Sequence, residues 1–279
     1  MKSAMPTTND AVPDEMPIWR YMDLPKFVAM LVSKTQWFAK AALLEDRYEG
    51  FCQVSPREMP LSDPLAKCIT RTTAEGETAL ISLTQMLVDV SKLSAAHFEK
   101  APEHLYVNSW CLEGESMAMW QIYGSAGCGI ALRSSVGQYR RAAKFNVREE
   151  QYAFDMVKYD YDLDPGLIPA LRFDFRDGPV PAPGLGVWER LLRIAFHKRK
   201  CYEYEREWRA ALYQDARPEC SGCDIEFDLN ELISAVYLGP RADNFLLAVV
   251  RSLMQKFELT KPLERSGLLQ PPERTTAAA

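Results

Sequence analysis

The run Glu203-Tyr204-Glu205-Arg206-Glu207-Trp208-Arg209-Ala210-Ala211-Leu212 constrains the chain more than any other stretch. With the two-residue period of a strand, one face carries Tyr204, Trp208, Ala210 and Leu212. The other face carries Glu205, Glu207 and Arg209. As a helix continuing from Trp188, the apolar stripe would run into Arg199 and Arg206, so the strand is the better reading. Two carboxylates at i and i+2, with an arginine next in line, are able to orient a ribose hydroxyl, ligate a metal or hold a base. They are equally able to form salt bridges on an exposed strand face.

Helical and strand patterns are mixed around this segment without a regular βαβ repeat. Asp23 precedes Leu24, Phe27, Val28, Leu31 and Val32, spaced as the apolar stripe of a capped helix. Trp19–Met22, Gln36–Ala39, Leu105–Leu112, Gly129–Arg133, Met156–Tyr159, Tyr204–Tyr213, Ile225–Phe227 and Ile233–Leu238 read as strands. Thr78–Phe98, Ser116–Tyr123, the stretch from Trp188 to Phe196 and Asn244–Phe257 read as helices. The expected fold is therefore α+β: a single domain with a mixed, mainly antiparallel sheet and packed helices. It should span 17–269, between tails at 1–16 and 270–279. Ser55–Pro64 and Asp174–Gly186 are rich in turn formers and read as long loops.

Hydrophobic residues make up 47% of the 279 residues and charged residues 25%, which excludes disordered, collagen-like and disulfide-miniprotein classes. The net charge of −5 supplies no global field for nucleic acid. The apolar runs, such as Phe245–Val250, fall far short of the ~20 residues that span a bilayer. The first residues lack the apolar stretch of a secretory signal, so the expected address is cytoplasmic. Seven cysteines fit it, an odd number with Cys52, Cys68, Cys111, Cys128 and Cys201 among apolar neighbours, expected as reduced, buried thiols. His197-x3-Cys201 and Cys220-x2-Cys223 have zinc-site residue types, but one CxxC without a second is incomplete, and no metal is expected there.

Other chemistry-bearing positions stand apart in sequence. Arg20 and Tyr21 end the first strand just before a helix N-terminus, where a guanidinium is able to fork onto a phosphate. Asn108 and Ser109 are small polar groups inside an otherwise apolar strand. Asp46 and Glu49 lie three residues apart in a turn. Trp120 and Tyr123 form an aromatic stripe that belongs either to the core or to the floor of a base-binding pocket.

In order, the segments WRYMDLPKFVAMLVSKTQWFA, EDRYEG, VNSWCLEGESMAMWQIYGSAGCGIAL, KRKCYEYEREWRA and LISAVYLGPRAD resemble the bacterial domain-of-unknown-function family numbered 2971. The resemblance runs from about Ile18 to Leu269, with Arg47 where members often carry proline. That family name implies no activity.

A more distant likeness, to ADP-ribosyltransferases, implies a mechanism. Those enzymes split NAD with an early arginine or histidine, a middle serine or tyrosine strand, and a late glutamate, sometimes as Glu-x-Glu. Arg20, Ser109 and Glu205-x-Glu207 occur in that order. The likeness implies a split sheet, Glu207 and Glu205 as catalytic carboxylates, and NAD as substrate. Arg20, Tyr21, Ser109, Trp120, Tyr123 and Arg209 would contact NAD, and the ADP-ribosyl group would pass to a macromolecular acceptor. Two other readings stay open. A Mg²⁺-dependent nuclease would use Asp46, Glu49, Glu205 and Glu207, with Lys198 or Arg209 on phosphate. A non-catalytic sensor or partner-binding module would hold Arg20, Glu207 and Arg209 as a buried ionic network.

Overall fold

β1 (Pro17–Met22) alternates Ile18 and Met22 on one side with Trp19 and Tyr21 on the other, and all four are buried. In the computed structural model the described residues are 12–46, 49, 100–147, 151–161, 192, 194–214 and 219–270. The helix expected over Thr78–Phe98, the loops Ser55–Pro64 and Asp174–Gly186, most of the helix begun at Trp188, Arg47, Cys52 and Cys68 lie outside them, as do most of the 1–16 tail and nearly all of the 270–279 tail.

The helix Leu24–Ser33 starts where the sequence says it should. The Asp23 carboxylate accepts the Lys26 N–H at 2.8 Å, and Pro25 occupies the first turn, where no donor is needed. Lys34, in the left-handed region at φ 54°, ends it. Its buried residues are Phe27, Met30 and Leu31, while Val32 is 63% exposed. The stripe is thus rotated towards Met30 relative to the sequence reading.

The strands that follow are β2 (Thr35–Lys40), β3 (Leu105–Cys111), β4 (Ile130–Ser135), β5 (Tyr152–Met156), β6 (Lys158–Tyr161), β7 (His197–Arg199), β8 (Glu207–Tyr213), β9 (Gly222–Glu226), β10 (Ala235–Leu238) and β11 (Leu263–Arg265). Among the described residues one sheet runs β11-β10-β4-β1-β3-β2-β9, with β8 on β3 and β5 on β8, and a smaller sheet joins β6 to β7. The β10–β11 and β6–β7 pairs are parallel and the remaining pairs antiparallel, which makes the fold α+β with a mainly antiparallel sheet. The short helices Val136–Ala142 and Leu229–Leu232 and strand β11 were not expected. They have seven, four and three residues, too few to show a period. No helix among the described residues is long and apolar enough to cross a membrane.

Strand β3 organises the sheet. One edge pairs with β8 along its whole length, from Leu105↔Tyr213 to Cys111↔Glu207. The other edge is divided, β2 taking Tyr106 and Val107 while β1 touches only Cys111. Between them β1 and β2 diverge, and the sheet is split at Asn108–Trp110.

The two faces of the β3–β8 pair meet different environments. On one side Tyr106, Trp110, Trp208, Ala210 and Leu212 pack with Ile18, Phe27, Leu31, Tyr139 and Val250 in the main core. On the other, Leu105, Val107, Ala211 and Tyr213 pack with Leu192, Ile194 and Phe196. A third cluster joins Trp19, Tyr21, Cys111, Trp120 and Ala131.

The β8 alternation matches the sequence reading from Glu207 onwards. Before it, the expectation fails: Lys200–Glu205 is a 3-10 turn, Arg206 is left-handed at φ 42° and ψ 62°, and Tyr204 is exposed rather than packed beside Trp208. Cys111 is buried as expected, but Cys128 and Cys201 are exposed.

Candidate functional site

Glu207 and Arg209, two residues apart on β8, lie on the same face, opposite Trp208 and Ala210. Arg209 directs Nε and Nη2 onto Glu207 Oε2 at 2.9 and 2.8 Å. It also donates Nη1 to the Ala195 carbonyl at 2.8 Å and Nε to Ser109 Oγ at 3.0 Å, and its Nη2 ion-pairs with Glu49 Oε2 at 2.7 Å.

Lys198 on β7 meets the same carboxylates from the other side. Its Nζ lies 2.9 Å from Glu49 Oε1 and 2.8 Å from Glu207 Oε1, and it also bonds Glu205 Oε2. Among the described residues the cluster therefore holds three carboxylates and two cations, all buried. Glu205 reaches it only because the left-handed Arg206 turns the chain between the 3-10 turn and β8. Tyr123, 42% exposed, donates its hydroxyl to Glu205 Oε1 at 2.7 Å and so links the cluster to the surface.

The electrostatics follow from this arrangement. Burial pushes the Glu205 carboxyl up and the neighbouring Glu207 adds to the rise; Lys198 opposes it, leaving the group at about 7. Burial would raise Glu207 too, but Arg209, the hydrogen bond with Glu205 and Lys198 outweigh it and hold Glu207 below the ordinary carboxylate range. Burial works against the charge on Lys198 and Arg209, yet Glu207 and Glu49 raise both. Burial, then the bond to Glu205, raises the Tyr123 phenol.

Arg20 approaches from elsewhere. Alternation places it on the Ile18 and Met22 side of β1, the face opposite Glu207. Its Nη1 donates to the Ser109 carbonyl at 2.8 Å, in the split. Asn108 spans the same gap, donating Nδ2 to the Trp37 carbonyl at 2.8 Å while its Oδ1 accepts from Trp110 Nε1 at 2.7 Å and Tyr139 at 3.0 Å. Burial lowers the Arg20 pKa, with Tyr139 and Glu207 pulling it back, although the residue keeps partial solvent exposure. Its other N–H donors have no partner among the described residues.

Each residue singled out in the sequence can now be placed. Arg20, Ser109, Arg209, Glu207 and Glu205 are joined in one run of contacts, with Lys198 between the two glutamates. Tyr123 sits at its outer end. Tyr21 and Trp120 are buried edge to face, ring centroids 4.8 Å apart, and Tyr21 accepts the Ser116 N–H at 3.2 Å. Asp46 takes the Arg199 guanidinium at 2.9 and 3.1 Å. Asp46, Glu49, Glu205 and Glu207 are thus each paired with a protein cation, which a divalent ion would have to displace. The helix N-terminus after Arg20 is already satisfied by Asp23. Cys220 and Cys223 flank the start of β9, and the described cysteines form no disulfide.

The sequence reading used Lys198 and Glu49 only as parts of a metal site and missed their joint role. The KRK run at 198–200 has the look of a solvated charge cluster, and the pairing of β6 with β7 that buries its first lysine has no local signal.

Comparison with family models and with curated proteins gives no match. Among solved structures the chain is similar to DarT from Thermus sp. 2.9 in complex with carba-NAD+, with a TM-score of 0.35 and 9% identity over 91% of this chain and 96% of that one. Identity at that level leaves no residue-by-residue correspondence to carry across.

Proposed function

We propose that the chain uses NAD as a substrate, breaking the nicotinamide–ribose bond and passing the ADP-ribosyl group to a macromolecular acceptor. The observation that carries this reading is the arrangement around Ser109. A partly exposed guanidinium with unused donors holds its carbonyl, and an acid-rich cluster reaches its hydroxyl through Arg209. A phosphate needs the first kind of group. The ribosyl centre needs the second: when the C1′–N bond breaks, the electron pair leaves with nicotinamide and positive charge develops on the sugar. Among the described residues a buried cluster of three acids and two bases, with Glu207 held ionised, favours that charge. Glu207, held ionised, is the fixed carboxylate in this scheme, with Glu205 beside it and the exposed Tyr123 and Tyr204 at the rim. Kinship with the 2971 family belongs to the same proposal and rests on the motifs between Ile18 and Leu269.

The test is incubation of purified protein and bacterial lysate with NAD labelled in its adenylate half. Nicotinamide release with label on protein or nucleic acid is expected, and Glu207→Gln should lower it by about 10²-fold or more. No nicotinamide release above a protein-free control would overturn the reading. A second reading, in which the cluster only fixes the fold, is favoured by the occupation of both Glu207 oxygens, Oε1 by Lys198 and Oε2 by Arg209. It predicts no NAD turnover.

A further inference from the structure

We propose that Lys198 is a positioning residue, a three-way clamp that ties Glu49, Glu205 and Glu207 together and sets the ionisation of Glu205, for which it is the one cation among the described residues, so that the site responds to pH. The inference deepens the NAD reading and rests on it for its functional meaning. Its geometry stands independently.

The Lys198 ammonium has three diverging N–H groups; it donates to Glu205 and Glu207 and ion-pairs with Glu49 at 2.9 Å. The acids are not served equally. Glu207 accepts from Lys198 on one oxygen and from two nitrogens of Arg209 on the other. Among the described residues Glu205 has Lys198 as its one cation, and its second oxygen accepts the neutral Tyr123 hydroxyl. With three acids against two bases among the described residues, the group that takes up a proton is the one with least cationic support, which is Glu205. That assignment agrees with the burial-driven rise of Glu205 to about 7.

The groups facing Glu205 are few. Lys198 comes from β7, Glu207 from β8 and Tyr123 from the helix Met117–Ile122, and Tyr204 precedes it on its own turn. Tyr159 of β6, which accepts the Glu207 N–H at 2.8 Å, is close enough to feel the Glu205 charge. A lysine suits the task because its donors diverge from a point. Arginine at this position would keep the charge but present a planar fork, unable to serve three carboxylates in different directions.

The test is a pH titration of protein carrying carbon-13 at the glutamate carboxyls, read by NMR, with Glu205→Gln and Glu207→Gln to assign the signals. In the wild type one buried carboxyl should titrate near neutrality and vanish in Glu205→Gln, while the Glu207 signal stays ionised. In Lys198→Arg the Glu205 midpoint should rise by about one pH unit or more, a tenfold change in ionisation constant. The pH limb of nicotinamide release should move with it. An unchanged midpoint in Lys198→Arg, or Glu207 as the group that titrates near neutrality, would overturn the clamp. If Lys198→Arg does not fold, the wild type and the two glutamine variants still decide which carboxyl titrates. Absence of NAD turnover in every variant would sink the transferase reading and leave the titration decisive for the clamp.

Discussion

Arg20 donates from Nη1 to the Ser109 carbonyl at 2.8 Å, across the gap where β1 and β2 part along β3. A carbonyl in a continuous sheet would be met by a neighbouring strand; here a guanidinium takes its place. Arg20→Met should therefore leave a strand carbonyl unpaired, costing about 1–3 kcal/mol in urea unfolding. It should also remove the candidate phosphate donor, so NAD binding by calorimetry should fall at least tenfold. Undiminished NAD affinity would place the diphosphate elsewhere.

Burial along the helix Leu24–Ser33 gives a sharper test of packing. Leu31 is 1% exposed in the main core, so Leu31→Ala should cost about 2–5 kcal/mol. Val32 is 63% exposed, and Val32→Ala should change stability by less than about 0.5 kcal/mol. Equal costs at the two positions would mean that the helix is rotated from the orientation described.

Arg206 stores local strain. It is left-handed at φ 42°, its N–H bonds the Glu203 carbonyl at 3.2 Å, and its own carbonyl accepts the Leu112 N–H at 2.9 Å. A branched Cβ tolerates that conformation poorly, so Arg206→Val should destabilise the fold by about 1–2 kcal/mol. Arg206→Gly relieves the strain but frees the unfolded chain, leaving a net change within about 0.5 kcal/mol. Its ion pair with Glu113 is exposed on both sides and adds little. Thermal melts of the two variants separate backbone strain from lost charge, because both remove the guanidinium.

The same residue marks where the sequence stops being legible. From Glu207 to Tyr213 the two-residue period is unbroken, and it placed Trp208, Ala210 and Leu212 in the core and Glu207 and Arg209 opposite. Glu205 was assigned to that same strand, whereas a positive φ at a non-glycine residue, which leaves no mark on composition or period, puts it on a turn. The helix after Asp23 was legible because its cap and its period agree. Lys198 was not, since its burial depends on the pairing of β6 with β7 and on Glu49, far off in sequence, as well as on Glu205 and Glu207 further along the chain. The split in the sheet is likewise a property of pairing, decided by where β1 and β2 leave β3.

The two glutamates should oppose one another in their pH dependence. Glu205 is raised in the folded protein from the ordinary 4.5 to about 7. Between those values the folded state binds more protons than the unfolded one, so stability falls as pH rises through that window and stays lower above it. Glu207 is depressed, so its contribution is present above about 4.5 and is lost as pH falls below that value. Together they place the maximum for this cluster in mildly acidic solution. Glu205→Gln removes the first effect and leaves two acids facing two bases. Thermal melts from about pH 5 to pH 8 should therefore decline less for Glu205→Gln than for the wild type, and at pH 8 the variant should melt higher. Parallel curves for the two proteins would show that Glu205 is already ionised throughout this range, and that the surplus negative charge of the cluster is neutralised by another group.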